Sequence, residues 1–193
     1  MMEQLMMIHK MEKINNCLIP EGWTIRNWRE GEETVWTRIC ENGLIPNYDA
    51  DLEWWKNAIL AEEGVDPKRD TFFVCRENDV PEATITAYVR PDGRGDIHMV
   101  AASDSIRGNN VGGIMLAFSM CKLDKEMKGD SRMTVLTTDD HRLPAIVGYL
   151  RGGFQPVEYD EGMVDRWTKV CDALNIHGIE MLTETGEPTG IIL

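Results

Sequence analysis

Apolar and polar positions change period several times along the chain. Residues 23–28, Trp-Thr-Ile-Arg-Asn-Trp, carry strand chemistry. Glu30-Gly31-Glu32-Glu33 then reads as a turn into a helix with Val35, Trp36, Ile39 and Cys40 as its apolar residues, broken by Gly43 and Pro46. Residues 51–61 predict a second helix on Leu52, Trp55, Ile59 and Leu60, with Asp49 or Asp51 as N-cap and Gly64 with Pro67 as its stop. Three strands follow at 71–76, 83–90 and 96–102, the last two separated by the turn Pro91-Asp92-Gly93-Arg94-Gly95. The period returns to helix over 110–127, to strand over 133–138, to helix over 142–151 and to strand over 154–158. Asp139 and Asp140 are expected to cap the 142–151 helix, Pro144 suits its first turn, and Gly152-Gly153 suits its end. Residues 163–174 read equally as strand or helix.

This order, β-α-α-β-β-β-α-β-α-β and a tail, predicts an α/β or α+β protein with a mixed sheet. The body occupies residues 20–174 as one domain. Residues 1–19 form an N-terminal extension, expected as a short helix or a frayed arm; it lacks the apolar core of a secretory signal. Residues 175–193 form a tail that adds a strand, reaches a partner subunit or stays disordered, and a homodimer is one expectation.

Composition narrows the classes. The chain has 193 residues, 33 Asp+Glu against 20 Lys+Arg and a net charge of −13, which argues against a nucleic-acid partner. No apolar run is long enough for a membrane span. Five scattered cysteines without a C-x-x-C argue against a disulfide framework or a zinc cage, so no metal is expected and the compartment reads as cytoplasmic.

The most informative stretch runs from Val100, Ala101 and Ala102 through Ser103 to Arg107, Gly108, Asn109, Asn110, Val111, Gly112 and Gly113. It passes from strand through a Gly- and Asn-rich loop into a helix. Such a loop directs successive backbone N–H groups at one spot, and a helix N-terminus there attracts phosphate. Arg107 adds a charge-assisted contact. The loop is neither a Walker A motif nor G-x-G-x-x-G.

A second segment contains Ala145, Tyr149, Gly153 and Phe154. Together, Arg107-Gly108-Asn109-Asn110-Val111-Gly112 and Ala145-x-x-x-Tyr149-x-x-x-Gly153-Phe154 resemble the GNAT superfamily of acetyl-CoA-dependent N-acetyltransferases, over roughly residues 20–174. The run Arg142 to Ala145 and the later Arg166-Trp167 resemble a bacterial branch. Asn110 departs from the family's middle glycine, and Arg142 stands where many members carry Asn.

The resemblance implies a GNAT-like mixed, mostly antiparallel central sheet with helices on both faces. It implies a splayed parallel strand pair, by position 96–102 and 132–138. Acetyl-CoA would lie in that cleft, with backbone near Val100 and Ala102 on the pantetheine and the 109–113 amides on the pyrophosphate. A backbone N–H near Val100 would polarise the thioester carbonyl. Tyr149 matches the family's acid for the thiolate. His98 or Asp96 is the base candidate, placed by strand alternation on one face with Val100 and Ala102; a water chain is the alternative. Trp54 and Trp55 are core candidates that also suit an acceptor pocket. The implied activity is acetyl transfer to an amine of a small molecule or peptide. A non-catalytic acyl-CoA-binding module and a protein-interaction domain are the other readings.

Overall fold

A computed structural model describes residues 3–11, 14, 18–45, 52–129 and 132–193; Asp49, Asp51, Pro46 and Cys17 lie outside the described residues. The strands are β1 (Leu5–His9), β2 (Thr24–Asn27), β3 (Thr71–Cys75), β4 (Pro81–Val89), β5 (Gly95–Ala102), β6 (Thr134–Thr138), β7 (Gln155–Pro156), β8 (Ile179–Leu182) and β9 (Pro188–Ile192). The helices are α1 (Glu33–Cys40), α2 (Glu53–Trp55, continued by a π turn Lys56–Leu60), α3 (Pro67–Asp70), α4 (Val111–Glu126), α5 (Leu143–Arg151) and α6 (Met163–Leu174). The chain divides into a unit Lys13–Lys128 and a unit made of Met1–Glu12 and Gly129–Leu193.

In the first unit, β2, β3, β4 and β5 form an antiparallel sheet in that order. β4 is buried continuously from Ala83 to Tyr88, which its run of small and β-branched residues permits. Its threonines are satisfied inside: Thr86 and Thr71 share a hydroxyl hydrogen bond of 3.0 Å, and Thr84 donates to the Phe72 carbonyl at 3.2 Å. One sheet face carries Phe73, Cys75 and Ala101 into a cluster with Trp28, Trp36, Trp55 and Ile59. Trp55 stacks at 4.9 Å on Trp28 and meets Trp36 edge-on at 5.2 Å, so it is a core residue, while Trp54 is exposed. The opposite face packs on α4, where Phe118 meets Phe72 edge-on at 4.9 Å.

β5 departs from simple alternation. Thr84 faces Ala101 and Thr86 faces His98, so Met99 and Val100 together stand opposite Ile85 as a bulge, with Met99 at φ +50°. Directly paired residues share a sheet face. Asp96, His98 and Ala101 are therefore on one face, whereas Ala102, paired with Ala83, is on the other. The expectation that Ala102 shares the face of His98 is overturned, because an inserted residue reverses the parity beyond it.

In the second unit, β1 is the middle strand between β6 and β7, antiparallel to both. Within the Met-rich start, Leu5–His9 is thus a strand rather than a helix or arm. Leu5, Met7 and Ile8 are fully buried, and pliable methionine side chains suit such a position. The tail forms the antiparallel hairpin β8–β9, tied back by a bridge between Val157 and Leu182. Residues 163–174 are helical: Met163, Trp167, Val170 and Cys171 are buried at helical spacing.

The expected aspartate caps of α5 are not formed. Its N-cap is Arg142, with no side-chain cap, and Asp139 instead takes the Arg142 Nε hydrogen bond at 2.7 Å while Asp140 pairs with Arg166. The charged partners outcompete the backbone donors for these carboxylates. At the other end Gly153 holds φ +90°, and a Cβ there would lie 2.9 Å from His9 Nε2. Gly153→Ala should therefore cost about 2 kcal/mol in urea melts, from the left-handed backbone and the collision. Adding His9→Ala should restore part of it. A loss under about 0.5 kcal/mol, the range of a neutral surface change, would refute this account.

Candidate active site

The loop after β5 is held by two buried pegs, Ile106 and Val111, on either side of its exposed stretch. Between them Gly108 has φ +82° and Asn110 φ +55°, the left-handed region that glycine and asparagine adopt most readily. The Asn109 amide donates to the Ile106 carbonyl at 3.1 Å and braces the turn. The Ile114 N–H donates to the Asn110 carbonyl at 3.1 Å, so α4 begins directly after Asn110. The amides of Val111, Gly112 and Gly113 precede that bond and have no acceptor within the helix. Their dipoles would favour an anion placed at this end.

Two glycines act differently here. A Cβ on Gly112 would meet nothing within 4 Å, whereas one on Gly113 would lie 2.7 Å from Asn110 Oδ1. The Asn110 side chain is therefore folded back over Gly113, which admits it. Gly112 leaves open space at the amides. Arg107 is 74% exposed and pairs with Asp104 at 2.6 Å, so its guanidinium stands at the loop surface. Asp104 also accepts from Asn42 Nδ2, which binds the Ala102 carbonyl at 2.6 Å and ties α1's exit to the end of β5. The Ala101 side chain belongs to the aromatic cluster, so only its backbone is available to a ligand.

Asp96 and His98 sit on the sheet face that meets α2. His98 Nε2 donates to the Ala58 carbonyl at 2.9 Å; a carbonyl only accepts, so the ring carries its proton on Nε2. Ala58 belongs to the π turn, which replaces the usual helical bonds, as in the Ala61 N–H to Lys56 carbonyl bond. Burial lowers the His98 pKa, so the ring is neutral near pH 7.

Asp96 has a more reactive setting. Its side chain is 14% exposed, and Arg90 Nη1 lies 3.3 Å from Oδ2. Burial is the main cause that raises its pKa to about 7; Glu62 adds to the rise, and Arg90 and Arg94 oppose it. Glu62 is fixed beside it by a 2.6 Å hydrogen bond from the hydroxyl of Tyr88, the cross-strand partner of Asp96. Sequence reasoning missed Glu62, Tyr88 and Arg90. The turn at Pro91 to Gly95 sets the hairpin register and was the available signal for pairing Tyr88 with Asp96.

Tyr149 lies on α5 in the other unit. Its hydroxyl has no hydrogen-bond partner among the described residues, its ring is 6.2 Å from that of Phe154, and burial raises its pKa to about 12. The phenol is thus protonated throughout the physiological range and can donate.

Residues 22–154 match the family described as Acetyltransferase (GNAT) family, and the chain belongs to it. The strands are mostly antiparallel and helices cover both faces of the four-stranded sheet, as expected for this α/β fold. A GCN5-related N-acetyltransferase from Sphaerobacter thermophilus superposes with TM-score 0.63 at 17% identity, over 79% of this chain and 47% of that one. This chain thus spans about half the length of that relative. A GNAT-family acetyltransferase from Staphylococcus aureus Mu50 gives TM-score 0.54 at 15% identity, over 72% and 87% of the two chains. Arabidopsis thaliana Naa50, in complex with the bisubstrate analogue CoA-Ac-MVNAL, gives 0.51 at 18% identity, over 69% and 83%. These likenesses are of fold. No curated protein matches the chain.

The raised Asp96 pKa carries a sign. The native carboxyl keeps its proton to about pH 7, while the unfolded one loses it near ~3.9. The native state then binds more protons between those values, and stability falls as pH rises through that window. Asp96→Asn should remove this fall, gaining about 2 kcal/mol over wild type at pH 8 relative to pH 5 in urea melts. A variant whose difference from wild type is independent of pH would contradict the burial argument.

Proposed function

We propose that residues 20–174 act as an acetyl-CoA-dependent N-acetyltransferase, transferring acetyl to the amine of a small molecule or peptide. The observation that carries this reading is the open, amide-lined start of α4 at Gly112, in a chain of the GNAT family. Arg107 and the amides from Asn109 to Gly113 would hold the pyrophosphate, and backbone of Val100, Ala101 and Ala102 the pantetheine. When bound, acetyl-CoA supplies the acyl group as an activated thioester. A backbone N–H near Val100 is assigned to the oxygen on which charge develops.

The amine must lose a proton before it attacks. Asp96 is the better base of the two strand candidates, because burial places its carboxyl at about 7 while it remains partly exposed. His98 already spends its Nε2 proton on Ala58, which suits a structural role. The Tyr149 hydroxyl holds the proton that a departing thiolate takes up. Cys40, Cys75 and Cys171 are buried thiols, which supports the cytoplasmic reading.

Calorimetry with acetyl-CoA tests the loop. Gly112→Val should fold like wild type, since nothing adjoins its Cβ, yet weaken acetyl-CoA at least about tenfold by filling the ligand's space. Arg107→Glu should weaken it by a similar factor. Unchanged binding in Gly112→Val would remove this loop from the cofactor site. Transfer is tested separately by thiol release over a panel of amines, with Tyr149→Phe expected to lower kcat about a hundredfold. Binding without release on any amine would instead support a non-catalytic acyl-CoA-binding module.

A further inference from the structure

The face of the β2–β4 sheet that packs on α4 holds a cavity of about 740 Å³, within the range of small-molecule sites. Its apolar lining comes from Phe72, Phe118 and Ile19, and its polar lining includes Lys68, Arg69, Lys122 and Lys125. Four cations around one cavity stand out in a chain with a net charge of −13.

Two of these cations are built in rather than merely exposed. Asp70 is fully buried beside them, accepting from Arg69 Nε at 2.8 Å, Arg69 Nη2 at 2.7 Å, Lys122 Nζ at 3.0 Å and the Asp66 amide at 2.8 Å. Burial works to raise its pKa, but these donors outweigh burial and hold it below the usual carboxylate range. The Lys122 side chain is itself only 10% exposed and lies 5.8 Å over the Phe72 ring. A buried, fully bonded carboxylate thus fixes two cations at the rim of an aromatic floor.

The cations are not equally committed. Lys68 pairs with Glu30, Lys122 with Asp70 and Glu126, and Arg69 with Asp70, while Asp66 acts on Lys68 and Arg69 from nearby. Four cations therefore meet four carboxylates. Lys125 and Arg69 Nη1 nevertheless have no hydrogen-bond or ion-pair partner among the described residues. Two uncommitted donors beside the Phe118 ring suit a flat carboxylate.

We infer that this cavity binds a small aromatic carboxylate, with its ring against Phe118 and its carboxylate on Arg69 and Lys125. The site lies outside the loop assigned to acetyl-CoA, so its test does not depend on that assignment.

Calorimetry of the full chain with 2-naphthoate, in saturating acetyl-CoA, tests it. Saturable binding is expected, with the neutral 2-naphthamide at least about tenfold weaker and inorganic phosphate not competing. Lys125→Glu, an exposed change, should weaken 2-naphthoate at least about fivefold, and Phe118→Ala should weaken it by a similar factor. Absence of binding, equal affinity for the amide, displacement by phosphate, or an unchanged affinity in Lys125→Glu would each overturn the inference. If 2-naphthoate binds only when acetyl-CoA is omitted, it occupies the cofactor's site and the inference also fails.

Discussion

The inserted residue in β5 governs how the first unit is organised around its chemistry. With Met99 and Val100 both opposite Ile85, the strand reverses its facing between His98 and Ala102. Upstream of the bulge, Asp96 and His98 face α2 and its π turn. Just beyond it, Ala101 packs into the tryptophan cluster, and the backbone then leaves the sheet for the loop that starts α4. Bulges re-aim side chains at the cost of local ladder hydrogen bonds. Here the left-handed Met99 accepts a conformation that disfavours non-glycine residues, and the surrounding buried strands hold it there.

The electrostatics follow from that arrangement. Asp96 is largely buried, paired across the hairpin with Tyr88, whose hydroxyl binds Glu62, and Arg90 lies against its carboxylate. Burial and Glu62 favour the protonated carboxyl, and Arg90 limits the effect. His98, two residues along, is held neutral and bonded to a carbonyl of the π turn. Two titratable groups on one strand face thereby differ in state: His98 is neutral and hydrogen-bonded, and the Asp96 carboxyl is raised to about 7.

Much of this was legible in the sequence, for local physical reasons. Gly108, Asn110 and Gly112 announce a loop whose backbone needs left-handed angles and open space, and the structure has those angles at Gly108 and Asn110 and that space at Gly112. The β4–β5 hairpin is visible in its turn residues. The Met99 bulge was not visible, because methionine carries no signal for a positive φ and period two is assumed until pairing shows otherwise. β1 was also missed: an apolar run of four residues does not distinguish strand from helix, and its pairing with β6 spans more than a hundred residues. The Asp139 and Asp140 caps failed because Arg142 and Arg166, one of them remote in sequence, took the carboxylates. Glu62 lies far from Asp96 in sequence, and only the packing of the π turn on the sheet face brings it near.

On the proposed reading, acetyl-CoA's phosphates bind at the first amides of α4. Amide-resolved NMR during titration of acetyl-CoA into the labelled chain tests it most directly. The largest, saturable shifts should fall on Asn109 to Gly113, with Lys122 and Phe118 on the far part of α4 unmoved. Saturable binding that shifts other amides and leaves Val111, Gly112 and Gly113 in place would contradict it.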